Sequence, residues 1–74
     1  MIYFTKYAQK KFDILNSYKV FITKEQVEDV AKNPEQTAKK GGYLLAAKDN
    51  VCVVIKKEDG LNKIITFYPL KTKQ

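Results

Sequence analysis

"GGYLLAAKDNVCVVIKKEDGLNKIITFYP", residues 41–69, decides the fold. Three runs rich in β-branched, aromatic and aliphatic residues, YLLAAK, VCVVIKK and KIITFY, are divided by Asp49-Asn50 and Asp59-Gly60. Asp-Gly is a strong signal for a two-residue hairpin, because that turn needs positive φ at both central residues. Two-residue loops at both breaks put Ile55 opposite Ile64, Val54 opposite Ile65 and Val53 opposite Thr66. They also put Leu45 opposite Val54 and Leu44 opposite Ile55. The stretch reads as a three-stranded antiparallel meander. One face then carries Leu45, Ala47, Cys52, Val54, Ile65 and Phe67. The other carries Leu44, Ala46, Val53, Ile55, Ile64, Thr66 and Tyr68. Both are largely apolar. The second has the smaller residues and is expected to be the more exposed, which calls for a partner, a terminus folded over it, or a groove.

Upstream of Gly41-Gly42, read as a hinge or turn, the period changes to that of a helix. In "KYAQKKFDILNSY", residues 6–18, Ala8, Phe12 and Leu15 recur at helical spacing and Lys6, Gln9, Lys10 and Asp13 fall elsewhere. This is an amphipathic helix of about three turns, capped by Thr5 and ended by Asn16-Ser17. "FITKEQVEDVAKNPE", residues 21–35, is a second helix with strong end signals. Thr23 and Gln26 make a capping box, and Ile22 and Val27 stand at the positions of a hydrophobic staple. Glu25, Glu28 and Asp29 fall early and Lys32 late, as the helix dipole favours. Pro34 stops the helix and pushes Asn33 towards extended geometry. Val27, Val30 and Ala31 form its apolar stripe. "MIYF" at the start reads as a short strand. The expected order is β-α-α-β-β-β, an α+β domain over residues 1–74 with two short helices on one face of an antiparallel sheet.

Composition limits the chemistry. Seventy-four residues bury only about 60% of the unfolded surface, enough for one modest core. There is no histidine, so Ser-His, Cys-His and His-metal chemistry are excluded, and no metal or cofactor is expected. The single cysteine, Cys52, lies in VCVVI and reads as a buried thiol. The acids Glu25, Glu28 and Asp29 are explained by helix capping rather than metal binding. No apolar run approaches the ~18 residues of a membrane span, and the first residues are too short and polar-flanked for a signal peptide. A cytoplasmic protein without a membrane partner is expected.

The net charge is +6, and every basic residue is lysine. Four lysines and Asp13 give residues 1–20 a charge of +3; four lysines and four acids cancel in residues 21–40; six lysines and three acids give residues 41–74 a charge of +3. Positive charge at both ends of the chain suits a phosphate backbone or another acidic partner. Lys56 and Lys63 would face each other across the second hairpin. Directly opposed like charges destabilise a sheet, which points to a polyanion held there. Lys6, Lys10 and Lys11 line the first helix, and the chain closes on Tyr68, Lys71 and Lys73.

The order of elements, with these particular stretches, resembles the RelE/ParE-like toxin superfamily. It looks closest to small members that open with a His-Ala-x-x-Arg-Met helix, continue with Ile-Thr-x-Glu-x-Val-x-x-Val ending Asn-Pro-Glu, and close on Thr-hydrophobic-Tyr. "YAQKKF" (residues 7–12), "ITKEQVEDVAKNPE" (22–35) and "IITFYP" (64–69) occupy these three places. Tyr7 stands where that pattern has histidine, Lys11 where it has arginine and Phe12 where it has methionine. The resemblance implies a toxin-like RNA-binding protein, with the ribosome or an acidic antitoxin-like protein as partner; the exposed sheet face or basic surface could instead engage a second copy. It also implies a metal-independent endoribonuclease in which Tyr68, Lys71 and Lys73 act on the phosphate and Lys6, Lys10, Lys11, Lys56 and Lys63 hold nucleic acid. Cleavage by a neighbouring 2′-hydroxyl needs a base, a cation and an acid. Lysine supplies only a point charge where arginine would clamp a phosphate with two bonds. A non-catalytic module binding nucleic acid or protein is the alternative.

Overall fold

The computed structural model describes residues 2–70. The elements are β1 (Ile2–Phe4), α1 (Lys6–Ser17), α2 (Lys24–Lys32), β2 (Gln36–Lys40), β3 (Tyr43–Lys48), β4 (Val51–Glu58) and β5 (Leu61–Pro69). The fold is α+β, with two helices against one five-stranded sheet in the order β1-β5-β4-β3-β2. The sheet is mixed rather than wholly antiparallel, because β1 runs parallel to β5. A helix must separate parallel neighbours or a long crossover must join them. Here the whole chain between β1 and β5 is that crossover.

The expected β-α-α-β-β-β order lacks one strand. QTAKK, residues 36–40, pairs antiparallel with β3 in the register Gln36↔Ala47 to Lys40↔Tyr43. Gly41-Gly42 is therefore the turn of a hairpin, with φ of 56° and 45°, and not a hinge. β2 hides from sequence patterning because all five of its residues are exposed. An edge strand that buries nothing shows no alternation.

Both helices start as their end signals predict. Thr5 Oγ1 accepts from the Ala8 N–H at 3.2 Å and donates to the Ile64 carbonyl at 2.9 Å. The capping box is closed: Gln26 N–H donates to Thr23 Oγ1 at 3.1 Å, and Thr23 N–H donates to Gln26 Oε1 at 2.8 Å. Helix α1 ends in a tight closure. Tyr18 and Val20 both donate backbone N–H bonds to the Leu15 carbonyl, and Lys19 turns to φ 62°.

The register of the meander follows the sequence expectation up to Ile55↔Ile64 and then departs from it. A bulge between Val54 and Ile55 gives Val54↔Thr66, Val53↔Phe67 and Cys52↔Tyr68. Ile65 is the extra residue. A one-residue insertion reverses the face of everything beyond it, so Phe67 joins Ile64 on one face and Thr66 and Tyr68 move to the other. The predicted pairs Val54–Ile65 and Val53–Thr66 are corrected accordingly.

The covered face is corrected too. The helices lie on Ala46, Val51, Val53, Ile55, Ile64 and Phe67, all buried, with Phe4, Ala8, Ile22, Val27 and Val30 completing the core. Leu45, Val54, Thr66 and Tyr68 lie on the uncovered side. The expectation weighed residue size. What decides is Phe67, which is fully buried and packs with its ring centroid 4.5 Å from that of Phe12, tilted by 45°, while Phe12 lies 6.0 Å from Phe4. These three rings bind β5, α1 and β1 into one cluster. Burying a phenylalanine outweighs the rest of the choice, since such a side chain contributes about 1.5–3 kcal/mol on leaving water.

Candidate nucleic-acid interface

On the uncovered face, register alone places five residues in a row across the sheet. Tyr3 of β1 pairs with Lys63 of β5, Lys63 with Lys56 of β4, and Tyr43 of β3 with Lys40 of β2. Tyr43 follows one step beyond Leu44↔Ile55 and so comes beside Lys56, whose ammonium stands 5.9 Å from the ring centroid. The row Tyr3–Lys63–Lys56–Tyr43–Lys40 crosses all five strands. At ~4.8 Å between neighbouring strands it spans about 19 Å. Tyr3 and Tyr43 are 49% and 42% exposed, so both side chains reach solvent.

Beyond the row lies an apolar band of Thr66, Val54, Leu45 and Ala38, and beyond that Tyr68, Cys52, Ala47 and Gln36. Thr66 Oγ1 is buried without a hydrogen-bond partner among the described residues. Round the end of the sheet, at the β2–β3 turn, a hollow of about 410 Å³ is lined by Tyr43, Leu44 and Ile55 with Lys39, Lys40 and Lys57. The lysine row thus continues past the β2–β3 turn.

The opposed pair Lys56–Lys63 forms as the sequence predicts, but the repulsion expected there is relieved within the chain. Glu58 reaches between them, 2.8 Å from Lys63 Nζ and 3.2 Å from Lys56 Nζ. Three lysines less one glutamate leave the row with two net positive charges. The hydrogen bond from Lys63, then that from Lys56, holds the Glu58 carboxyl below the usual glutamate range. The Glu58 hydrogen bond holds Lys63 above the usual lysine value. Asp29 and Lys48, joined at 2.7 Å, are shifted in the same senses by their mutual hydrogen bond.

Tyr68 lies on the uncovered face, opposite Cys52. The neighbouring Cys52 sulfur, then partial desolvation, keep the phenol above its ordinary value. The phenol stays protonated at neutral pH and offers a hydrogen bond rather than a base. None of these five shifts moves a group towards neutrality, where a general base works best.

The sequence-predicted residues do not all converge. Lys56 and Lys63 share the row, and Tyr68 shares their face two rows away. Lys6, Lys10 and Lys11 are on α1, in the other layer, where Lys6 and Lys10 rim a shallow hollow with Gln9 and Asp13. Lys71 and Lys73 lie outside the described residues. Tyr3, Lys40, Tyr43 and Glu58 were not singled out from the sequence. Tyr3 was legible, since it alternates with Ile2 and Phe4 in the first strand. Tyr43 and Lys40 needed the β2–β3 pairing. Among the described residues no helix is long and apolar enough to cross a membrane, and no three His, Cys, Asp or Glu side chains cluster as metal ligands. Comparison of the chain with protein-family models, with curated proteins and with solved structures finds no match.

Proposed function

We propose that this chain is a RelE/ParE-like, toxin-like protein that binds single-stranded RNA across the uncovered face of its sheet. The observation that carries the proposal is the row Tyr3–Lys63–Lys56–Tyr43–Lys40. Exposed aromatic rings stack unpaired bases, and lysines between them meet the backbone phosphates. Two rings separated by two ammonium groups give a strand alternate places for base and phosphate. A duplex hides its base faces and gains only the charge term. RNA rather than DNA is taken from the resemblance, with which two helices on one side of a sheet are in keeping.

Binding is favoured over cleavage. The chain has neither histidine nor arginine, and the Tyr68 phenol and Lys63 ammonium are both shifted towards their protonated forms. Tyr68 retains the role of a hydrogen-bond donor to phosphate. Inducible expression in a bacterial host, with growth and message integrity followed together, tests the toxin-like part. Slowed growth with intact messages is expected, together with loss of the effect in Tyr43→Ala. Cut messages that become intact on changing Lys71 and Lys73 to alanine would assign an endoribonuclease instead. Healthy growth and no RNA bound would end the proposal.

A further inference from the structure

The most exposed aromatic side chains of the described residues lie away from the sheet face. Tyr18 is 76% and Phe21 72% exposed, and Tyr7 and Ile14 are 59% and 47% exposed. At 100° per residue, Tyr7, Lys11, Ile14 and Tyr18 fall on one stripe of α1, beside the stripe of Ala8, Phe12 and Leu15 that faces the core. Phe21 follows at the turn into α2. Three large apolar side chains on one stripe, with a fourth in the turn that follows, exceed what scattered surface residues account for. The ridge is held in shape, since Tyr18, Lys19 and Val20 all donate backbone N–H bonds to the end of α1, and Lys19 sits at φ 62°. Tyr18 and Phe21 therefore stand out from the turn by construction.

Charge selects the occupant. Residues 14–24 contain Lys19 and Lys24 and no acid, and Lys10 and Lys11 adjoin the stripe. Asp13 is about a third of a turn round the helix from it. A second copy would bring lysine ridge against lysine ridge. An acidic peptide would want a groove, and side chains three-quarters exposed on a turn form a crest. A crest of Tyr, Phe and Ile with lysines beside it suits a plane that is anionic above and apolar below. Aromatic residues favour that boundary, and each lysine near it strengthens binding to anionic lipid about fivefold.

We propose that Tyr7, Ile14, Tyr18 and Phe21, with Lys11 and Lys19, form a peripheral docking surface for anionic phospholipid bilayers, separate from the RNA-binding face. The protein lies on the surface and does not cross it. The chain has no tryptophan, so Phe21→Trp places a single reporter on the crest. Its emission should shift to the blue with vesicles containing equal parts phosphatidylglycerol and phosphatidylcholine, and stay unshifted with phosphatidylcholine alone. Co-sedimentation should show at least about tenfold tighter binding to the anionic vesicles. Lys11→Gln with Lys19→Gln should remove that preference. Tyr18→Ser with Phe21→Ser should weaken binding about tenfold while the melting temperature and RNA affinity stay as they were. Equal partition into both lipids, no blue shift, or unchanged binding in the serine variant would overturn the proposal. So would loss of vesicle binding in Tyr43→Ala, since the sheet face would then be the lipid site.

Discussion

Glu58 is the residue whose position most alters the sequence reading. Lys56 and Lys63 were legible as an opposed pair from the Asp59-Gly60 turn alone. Their neutraliser was not, because Glu58 stands next to the turn and reads there as ordinary hairpin polarity. Under the proposed RNA-binding reading, its carboxylate competes with a phosphate for Lys56 and Lys63. Glu58→Gln is therefore expected to tighten RNA binding several-fold and steepen its salt dependence, measured by fluorescence anisotropy. The pH dependence has a definite sign. The folded-state pKa of Glu58 is lowered, so its contribution to stability is present above the unfolded value and is lost as pH falls through the folded one. That of Lys63 is raised, so its contribution is present below the unfolded value and is lost as pH rises through the folded one. Carboxyl titration by NMR should find Glu58 below the ordinary glutamate range, and Lys63→Gln should move it back up. An unmoved Glu58 would mean that Lys63 is not its main partner.

Among the elements, the helices and the β3–β4 hairpin were readable, and β2 and the β5 bulge were not. Helix ends announce themselves in local chemistry: Thr5, Thr23, Gln26 and Pro34 each act within a turn. The bulge has no local signal. Ile64, Ile65 and Thr66 are all good strand residues, and only the choice between burying Phe67 and burying Tyr68 makes Ile65 the extra one. Thr5 bridges the two scales, since its hydroxyl caps α1 and accompanies the bulge by donating to the Ile64 carbonyl. Thr5→Val removes both bonds at nearly constant volume. It should cost about 1–2 kcal/mol, read by urea denaturation, against about 1 kcal/mol for the cap alone in Thr23→Ala. Equal losses in the two would mean that the contact with β5 contributes nothing.

For the whole molecule, the core lies on one side of the sheet and the proposed RNA-binding row on the other. With Phe67 fully buried in a chain of this size, Phe67→Ala should cost about 3–5 kcal/mol, much of the stability of a small domain, and should abolish the cooperative thermal transition. Tyr43→Ala lies on the uncovered face and should leave that transition in place. The two substitutions therefore separate fold from function. The row was only half legible, because it joins residues from five strands and one of those strands carries no pattern. The most direct measurement of the central claim is a titration of the intact chain, and of Tyr43→Ala, with a short single-stranded RNA and with the duplex of the same sequence. The account predicts that the single strand binds more tightly than the duplex, that binding weakens with added salt, and that Tyr43→Ala loses about tenfold on the single strand. Equal binding of single strand and duplex, with Tyr43→Ala indistinguishable from the parent, would contradict it.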